Sequence, residues 1–141
     1  MGILIKYILF FMVASLVVST GATASEQLVV VAHTQAPLRS LEKHEIRNLF
    51  MGGMLDNLTP VAFAPGVKER LIFNTRIVGL TESRIQSYWA QMRFSGRSHP
   101  PVEVQTVDEM LDYLLQHEDC VGYLPAGMEL PPSLSVIYQL Q

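Results

Sequence analysis

Two short stretches of this 141-residue chain combine residue types that can hold an anion. In the first, Thr34 and Ser40 bracket a loop punctuated by Pro37. In the second, Ala64-Pro65-Gly66-Val67 runs into Lys68 and Arg70. Each stretch lies where an apolar run gives way to a helical pattern. There the first amides of the helix lack intrahelical acceptors, and the positive end of its dipole faces outward. Thr34 and Ser40 bring hydroxyls, Gly66 lets the backbone approach a ligand closely, Val67 opens the helix, and Lys68 and Arg70 add charge. In open α/β sheets, ligands bind at such junctions, beyond the carboxyl ends of strands.

No other chemistry emerges from residue spacing. His33, His44, His99 and His117 are not spaced as metal ligands, so no metal is expected. The chain has no G-x-S-x-G elbow, phosphate-binding P-loop or G-x-G-x-x-G fingerprint. Glu42, Glu45, Glu82, Asp108 and Glu109 sit at predicted helix starts, where they complement the dipole. Tyr88, Trp89 and Met92 have the spacing of a helix face turned to a core. The lone Cys120 precedes an apolar run and reads as a small buried hydrophobe. With no catalytic set, the expectation is a protein that is not an enzyme and needs no cofactor.

The elements that must position the two junctions follow from periodicity. Residues 27–32 form a continuous β-branched run, a strand covered on both faces. Ser40 is placed to cap a helix over 41–51, with Ile46, Leu49 and Phe50 facing inward and Gly52-Gly53 ending it. A strand over 61–64 leads into a helix over 67–78, with Val67, Leu71, Ile72 and Val78 inward. Thr81 opens a helix reaching residue 94, and 95–101 is a loop. Thr106 and Glu109 form a capping box for a helix to about residue 116. Strands follow at 121–124 and 134–138. The order strand, helix, strand, helix, helix, helix, strand, strand predicts an α/β fold. Its sheet is expected to be mostly parallel, with about four strands flanked by about four helices.

The start of the chain has a different purpose. Lys6 precedes a nearly unbroken apolar run over 7–18, and Ala22-Thr23-Ala24 suits signal peptidase. Residues 1–24 therefore read as a secretory signal cleaved after Ala24, with the protein periplasmic and Ser25 its first residue. Membrane contact is expected only through this segment before cleavage. Its removal leaves 117 residues, a single domain over 25–141, carrying nine basic against thirteen acidic residues, or −4 with His neutral. An acidic domain without a basic cluster argues against nucleic acid as a partner.

Several of these stretches together carry a resemblance. Residues 31–52 pass from an apolar strand through Pro37, Ser40 and Leu41 to a helix closing on Leu49-Phe50-Met51-Gly52. Residues 61–78 follow, then Tyr88-Trp89-Ala90, Phe94-Ser95-Gly96-Arg97 and Gly122-Tyr123-Leu124-Pro125. In order and spacing this resembles the periplasmic phosphate-binding proteins of ABC transporters, and in length their short single-lobe relatives in Gram-negative bacteria. The resemblance implies one lobe of a type 2 periplasmic binding protein and a small oxyanion such as phosphate as ligand. Of the family's hydroxyl-rich turn at the second junction, only Gly66 is carried over, with Pro65 and Val67 replacing the hydroxyls. This implies weak or partner-assisted binding. The alternative is a ligand-free module docking on a membrane sensor or transporter component.

Overall fold

The computed structural model describes residues 27–35, 39–96 and 98–140. The signal segment over 1–24 and Pro37 lie outside the described residues. Five strands and four helices alternate: β1 (Leu28–His33), α1 (Lys43–Phe50), β2 (Thr59–Phe63), α2 (Lys68–Phe73), α3 (Glu82–Ser95), β3 (Val102–Val104), α4 (Val107–Gln116), β4 (Cys120–Pro125) and β5 (Ser135–Gln139). α2 continues without a break into a π-helical segment, Asn74–Val78, where Gly79 N–H reaches back to the Asn74 carbonyl at 2.7 Å.

The sheet order is β3-β2-β4-β1-β5. β2 pairs in parallel with β3 and β4, whereas β1 runs antiparallel to β4 and β5. The α/β class stands, but the sheet is mixed rather than mostly parallel. An apolar run reports that both faces of a strand are covered; it carries no information on direction. Direction was settled by the path between β1 and β2. Leu41 N–H donates to Ile137 on the β5 edge at 2.9 Å, so the chain goes out and back before β2 begins. β2 consequently starts at the end where β1 stops: His33 and Thr59 both stand opposite Cys120.

The same hydrogen bond moves the start of α1. Leu41 is buried and held in place at the sheet edge, so the helix begins at Lys43 with Glu42, not Ser40, as its cap. Glu45 accepts the Glu42 amide at 2.8 Å. At α4 the box is displaced by one residue: Thr106 takes the Glu109 amide at 3.1 Å, while Glu109 takes that of Gln105 at 2.7 Å. β3 escaped prediction because it is three residues long, begins just after Pro100-Pro101 and lies on an edge, where proline is tolerated.

The core forms on both faces of the sheet. Met110 and Leu114 of α4 are fully buried over β4. Gly122 permits that approach, since a Cβ there would lie 2.6 Å from Met110 Sδ. An aromatic cluster fills another part of the core, with Phe73 stacked on Tyr123 at 4.0 Å and Phe50 tilted against Phe73 at 4.6 Å. Tyr123 is fully buried and accepts the Phe63 amide at 3.1 Å, and desolvation raises its phenol pKa. The inward face of α2 differs from expectation. Leu71 is 67% exposed, and Arg70 and Phe73 point inward in its place. The physical reason lies in the partners that Arg70 finds there.

Candidate functional site

The two junctions do not converge. β1 ends beside the start of β4, whereas β2 ends four residues further along, roughly 13 Å away at strand rise. At the first junction the Thr34 hydroxyl donates to Asp119 at 2.9 Å and Gln35 donates to Glu118 at 2.9 Å. These bonds tie the junction to the turn before β4. Ser40 is exposed, near the β5 edge, and its carbonyl accepts from Arg39 at 3.2 Å. Thr34 and Ser40 thus lie apart from the other four candidate residues.

Those four come together. Gly66, Val67, Lys68 and Arg70, with Leu71, Asn74 and Glu82, line a concavity of about 150 Å3 where β2 meets α2. Ala64 N–H extends the β2–β3 pairing by donating to Val104 at 2.8 Å, and Val67 N–H closes the turn onto Ala64 at 3.2 Å. Gly66 adopts φ +92°, a left-handed value that favours glycine, and no heavy atom lies within 4 Å of where its Cβ would be. Val67 caps α2 without a side-chain hydrogen bond, and the amides of the first turn have no acceptor inside the helix. Lys68 is exposed and makes no ion pair among the described residues.

Arg70 is differently placed. It is 6% exposed and every arm of its guanidinium is engaged. Nε and Nη2 grip the Glu82 carboxylate at 2.7 and 2.6 Å, a bidentate fork, while Nη1 reaches the Phe63 carbonyl at 2.7 Å and Glu103 at 3.2 Å. Glu82 also takes Asn74 at 2.9 Å and Gln86 at 2.7 Å. The hydrogen bond from Arg70 holds the Glu82 carboxyl below its ordinary range against the opposing cost of burial. Burial alone would lower the Arg70 pKa, but its bonds to Glu82 outweigh that and raise it. One guanidinium therefore meets two carboxylates, and its charge is spent within the protein. Sequence reasoning read Glu82 as a dipole partner at a helix start and missed Asn74 and Glu103. No local pattern joins positions 70, 74, 82 and 103.

Cys120 is 1% exposed and donates to the His117 carbonyl at 2.9 Å; desolvation, with Asp119 adding to it, pushes its thiol up to about 11. That is the inert, buried thiol expected from its position. His33 Nδ1 donates to the Leu114 carbonyl at 2.5 Å and reaches that of His117 at 3.0 Å, fastening β1 to the end of α4. Among the described residues, no group of three or more His, Cys, Asp or Glu is placed to hold a metal ion. None of the described helices is long and apolar enough to cross a membrane.

No family model matches the chain, and no curated protein matches it in sequence. A solved structure does match in fold: an ABC-type phosphate transport receptor from Vibrio cholerae, with a TM-score of 0.56 and 16% identity over 78% of this chain. The chain spans 44% of that receptor's length. In fold, its five-stranded sheet and four helices match a single lobe of a periplasmic binding protein.

Proposed function

We propose that this chain is an exported, non-catalytic solute-binding-type protein that holds a small oxyanion, phosphate in class, weakly at the turn between β2 and α2. The observation that supports this most is the grouping of Gly66, Val67, Lys68 and Arg70 around one open concavity on a fold shared with a phosphate transport receptor. The ligand would take the Gly66 and first-turn amides and the Lys68 ammonium. Arg70 would contribute by shaping the turn, since its own donors are engaged. A single lobe leaves one side of the ligand in solvent, which keeps affinity low unless a partner supplies the other wall. Export rests on the signal-like segment at 1–24 and is checked by the mass of the secreted protein, expected to begin at Ser25.

The test is thermal unfolding against phosphate, sulfate and molybdate at matched ionic strength. A ligand that binds only the folded state raises Tm. Phosphate is expected to raise it selectively, and Gly66→Asp to abolish the rise by steric block and repulsion. A rise that survives Gly66→Asp unchanged removes the turn as the site.

A second reading is favoured by the charge of the cluster. Two carboxylates against one guanidinium leave little positive field for an anion. On this reading the lobe has kept its fold and docks on a membrane sensor or transporter component without a ligand. The absence of any anion effect, together with a partner recovered by crosslinking in the periplasm, is its expected signature.

A further inference from the structure

Charge is divided unevenly along the chain. Residues 39–97 hold all nine basic residues of the domain and five acidic ones, whereas residues 98–141 hold seven acidic residues and no Lys or Arg. The sheet turns this division into two faces. On β4, Gly122 faces Met110 and Leu114 of α4, while its neighbour Tyr123 stacks on Phe73 of α2 and tilts against Phe50 of α1. Successive side chains of a strand point to opposite faces, so α4 lies on one side of the sheet and α1 and α2 on the other. α3 joins α1 and α2, since its Ile85 and Trp89 wall a cavity of about 200 Å3 with Phe50, Phe73 and Tyr123.

Each face carries an exposed pair of like charges one helical turn apart. On α4 these are Asp108 and Asp112; on α1 they are Lys43 and Arg47. Residues four apart stand about 6 Å apart along a helix, so the two pairs have the same spacing. None of the four makes an ion pair among the described residues. Between α1 and the π-helical segment lies an open groove of about 380 Å3. Its lining combines the buried Ile77 and Val78 with Lys43 and Arg47, against which Glu42 is the one acid. Leu115 is 36% exposed and, by helical spacing, shares its side of α4 with Asp108 and Asp112. One face thus presents an acidic ridge with an apolar tip, and the other an apolar groove with basic residues along it.

We propose that these two faces form a contact between copies of this chain, the α4 ridge of one copy seated in the α1 groove of the next. Asp108 and Asp112 meet Lys43 and Arg47, and Leu115 reaches Ile77 and Val78. Charge complementarity selects the second copy as occupant. A basic partner would satisfy α4 and leave the groove uncovered, whereas a copy covers both faces with one kind of contact. Because ridge and groove lie on opposite faces, the contact is head to tail. It repeats, giving short chains or a ring rather than a closed pair. Its charges stand at the surface, so it is weak and sensitive to salt. It is independent of anion binding at the β2–α2 turn, which uses other residues.

The test is sedimentation velocity of the purified protein at concentrations up to about 0.5 mM, within reach of a millimolar Kd. Self-association is expected at about 20 mM salt and about tenfold weaker association at about 300 mM, as screening shortens the reach of the charges. One variant combines Asp108→Lys with Asp112→Lys, and another Lys43→Glu with Arg47→Glu. Each sets like charges against each other, and each is expected to sediment as a monomer. Mixed together, the two variants oppose lysines to glutamates at one contact and native pairs at the other, and association is expected to return. Circular dichroism establishes that each variant is folded. Should the double α4 variant not fold, Asp112→Lys alone, in the middle of the helix, is expected to weaken association at least about tenfold. A native protein that stays monomeric at low salt overturns the proposal. So does self-association that persists undiminished in a folded variant, or a mixture of the two folded double variants that stays monomeric.

Discussion

The junctions after β1 and β2 each carry an arginine held by a glutamate further along the chain, and the two pairs are not alike. After β1, Arg39 pairs with Glu45 at the surface, with side chains 65% and 19% exposed. After β2, Arg70 pairs with Glu82, with side chains 8% and 35% exposed, and Glu103 and the Phe63 carbonyl complete its shell. The first pair decorates a helix start that its own backbone already builds. The second replaces a piece of hydrophobic core and fastens α2, α3 and β3 to one another. In sequence both are an arginine near a helix beginning; burial makes one ornamental and the other structural. The buried pair also shapes the junction. The β2 junction stays open at Gly66, while the guanidinium beside it is withdrawn from any ligand.

The comparison can be broken most forcefully at Arg70. Arg70→Met is expected to lower unfolding free energy by about 2–3 kcal/mol in urea denaturation. This is less than for a fully enclosed pair because Glu82 and Glu103 are partly screened by solvent. Arg39→Met is expected to leave the denaturation midpoint near that of the native protein, as befits a solvent-exposed pair. Equal losses for the two variants would erase the distinction.

At the turn itself, Gly66→Ala is expected to cost about 1 kcal/mol through its positive φ alone, since nothing crowds the position. A larger loss would mean that the concavity is closed in solution.

Acid titration sharpens the contrast further. The folded state holds the Glu82 carboxyl below its ordinary range, so the unfolded chain takes up the proton first as pH falls. The stability from this pair is complete above the unfolded glutamate value of about 4.3 and drains away as pH descends through the lower folded value. Glu82→Gln is expected to flatten that acid limb in urea midpoints measured across pH. The Glu45 carboxyl is also held low, at about 2, chiefly by its hydrogen bond to Arg39. Because that pair lies in solvent, added salt is expected to shrink the contribution of Glu45 to the acid limb more than that of Glu82, and the reverse order would contradict the burial argument.

The smallest effect is expected at Thr34. Thr34→Val removes a hydrogen bond to Asp119 at the far end of the sheet. It is expected to cost a few tenths of a kcal/mol, roughly within the range of surface substitutions. Any anion-dependent rise in Tm should be unchanged. A lost rise would place Thr34 in the site after all.

Much of the fold was legible because it is written in local patterns. The apolar run of β1, the Thr81 and Thr106 caps and the inward faces of α1 and α4 depend on neighbours a few residues away. The grouping of Gly66, Val67, Lys68 and Arg70 was legible for the same reason, as they are contiguous around one turn. β3 was lost because three residues after a proline pair leave too short a pattern. Leu71 was turned inward by periodicity, which gives hydrophobicity its usual weight and cannot see a guanidinium met by carboxylates from positions 82 and 103.

The sequence by itself determined most of the strands and helices, the caps of α3 and α4, and that Cys120 is buried, since short-range periodicity and capping chemistry specify these. Only the tertiary structure decided strand direction, the separation of Thr34 from Gly66, the neutralisation of Arg70 and the cavity under α3. Each of these depends on residues distant in sequence meeting in space. β1 runs antiparallel to β4 and β5, which come from the far end of the chain, and a carboxylate twelve residues away makes Arg70 part of the core.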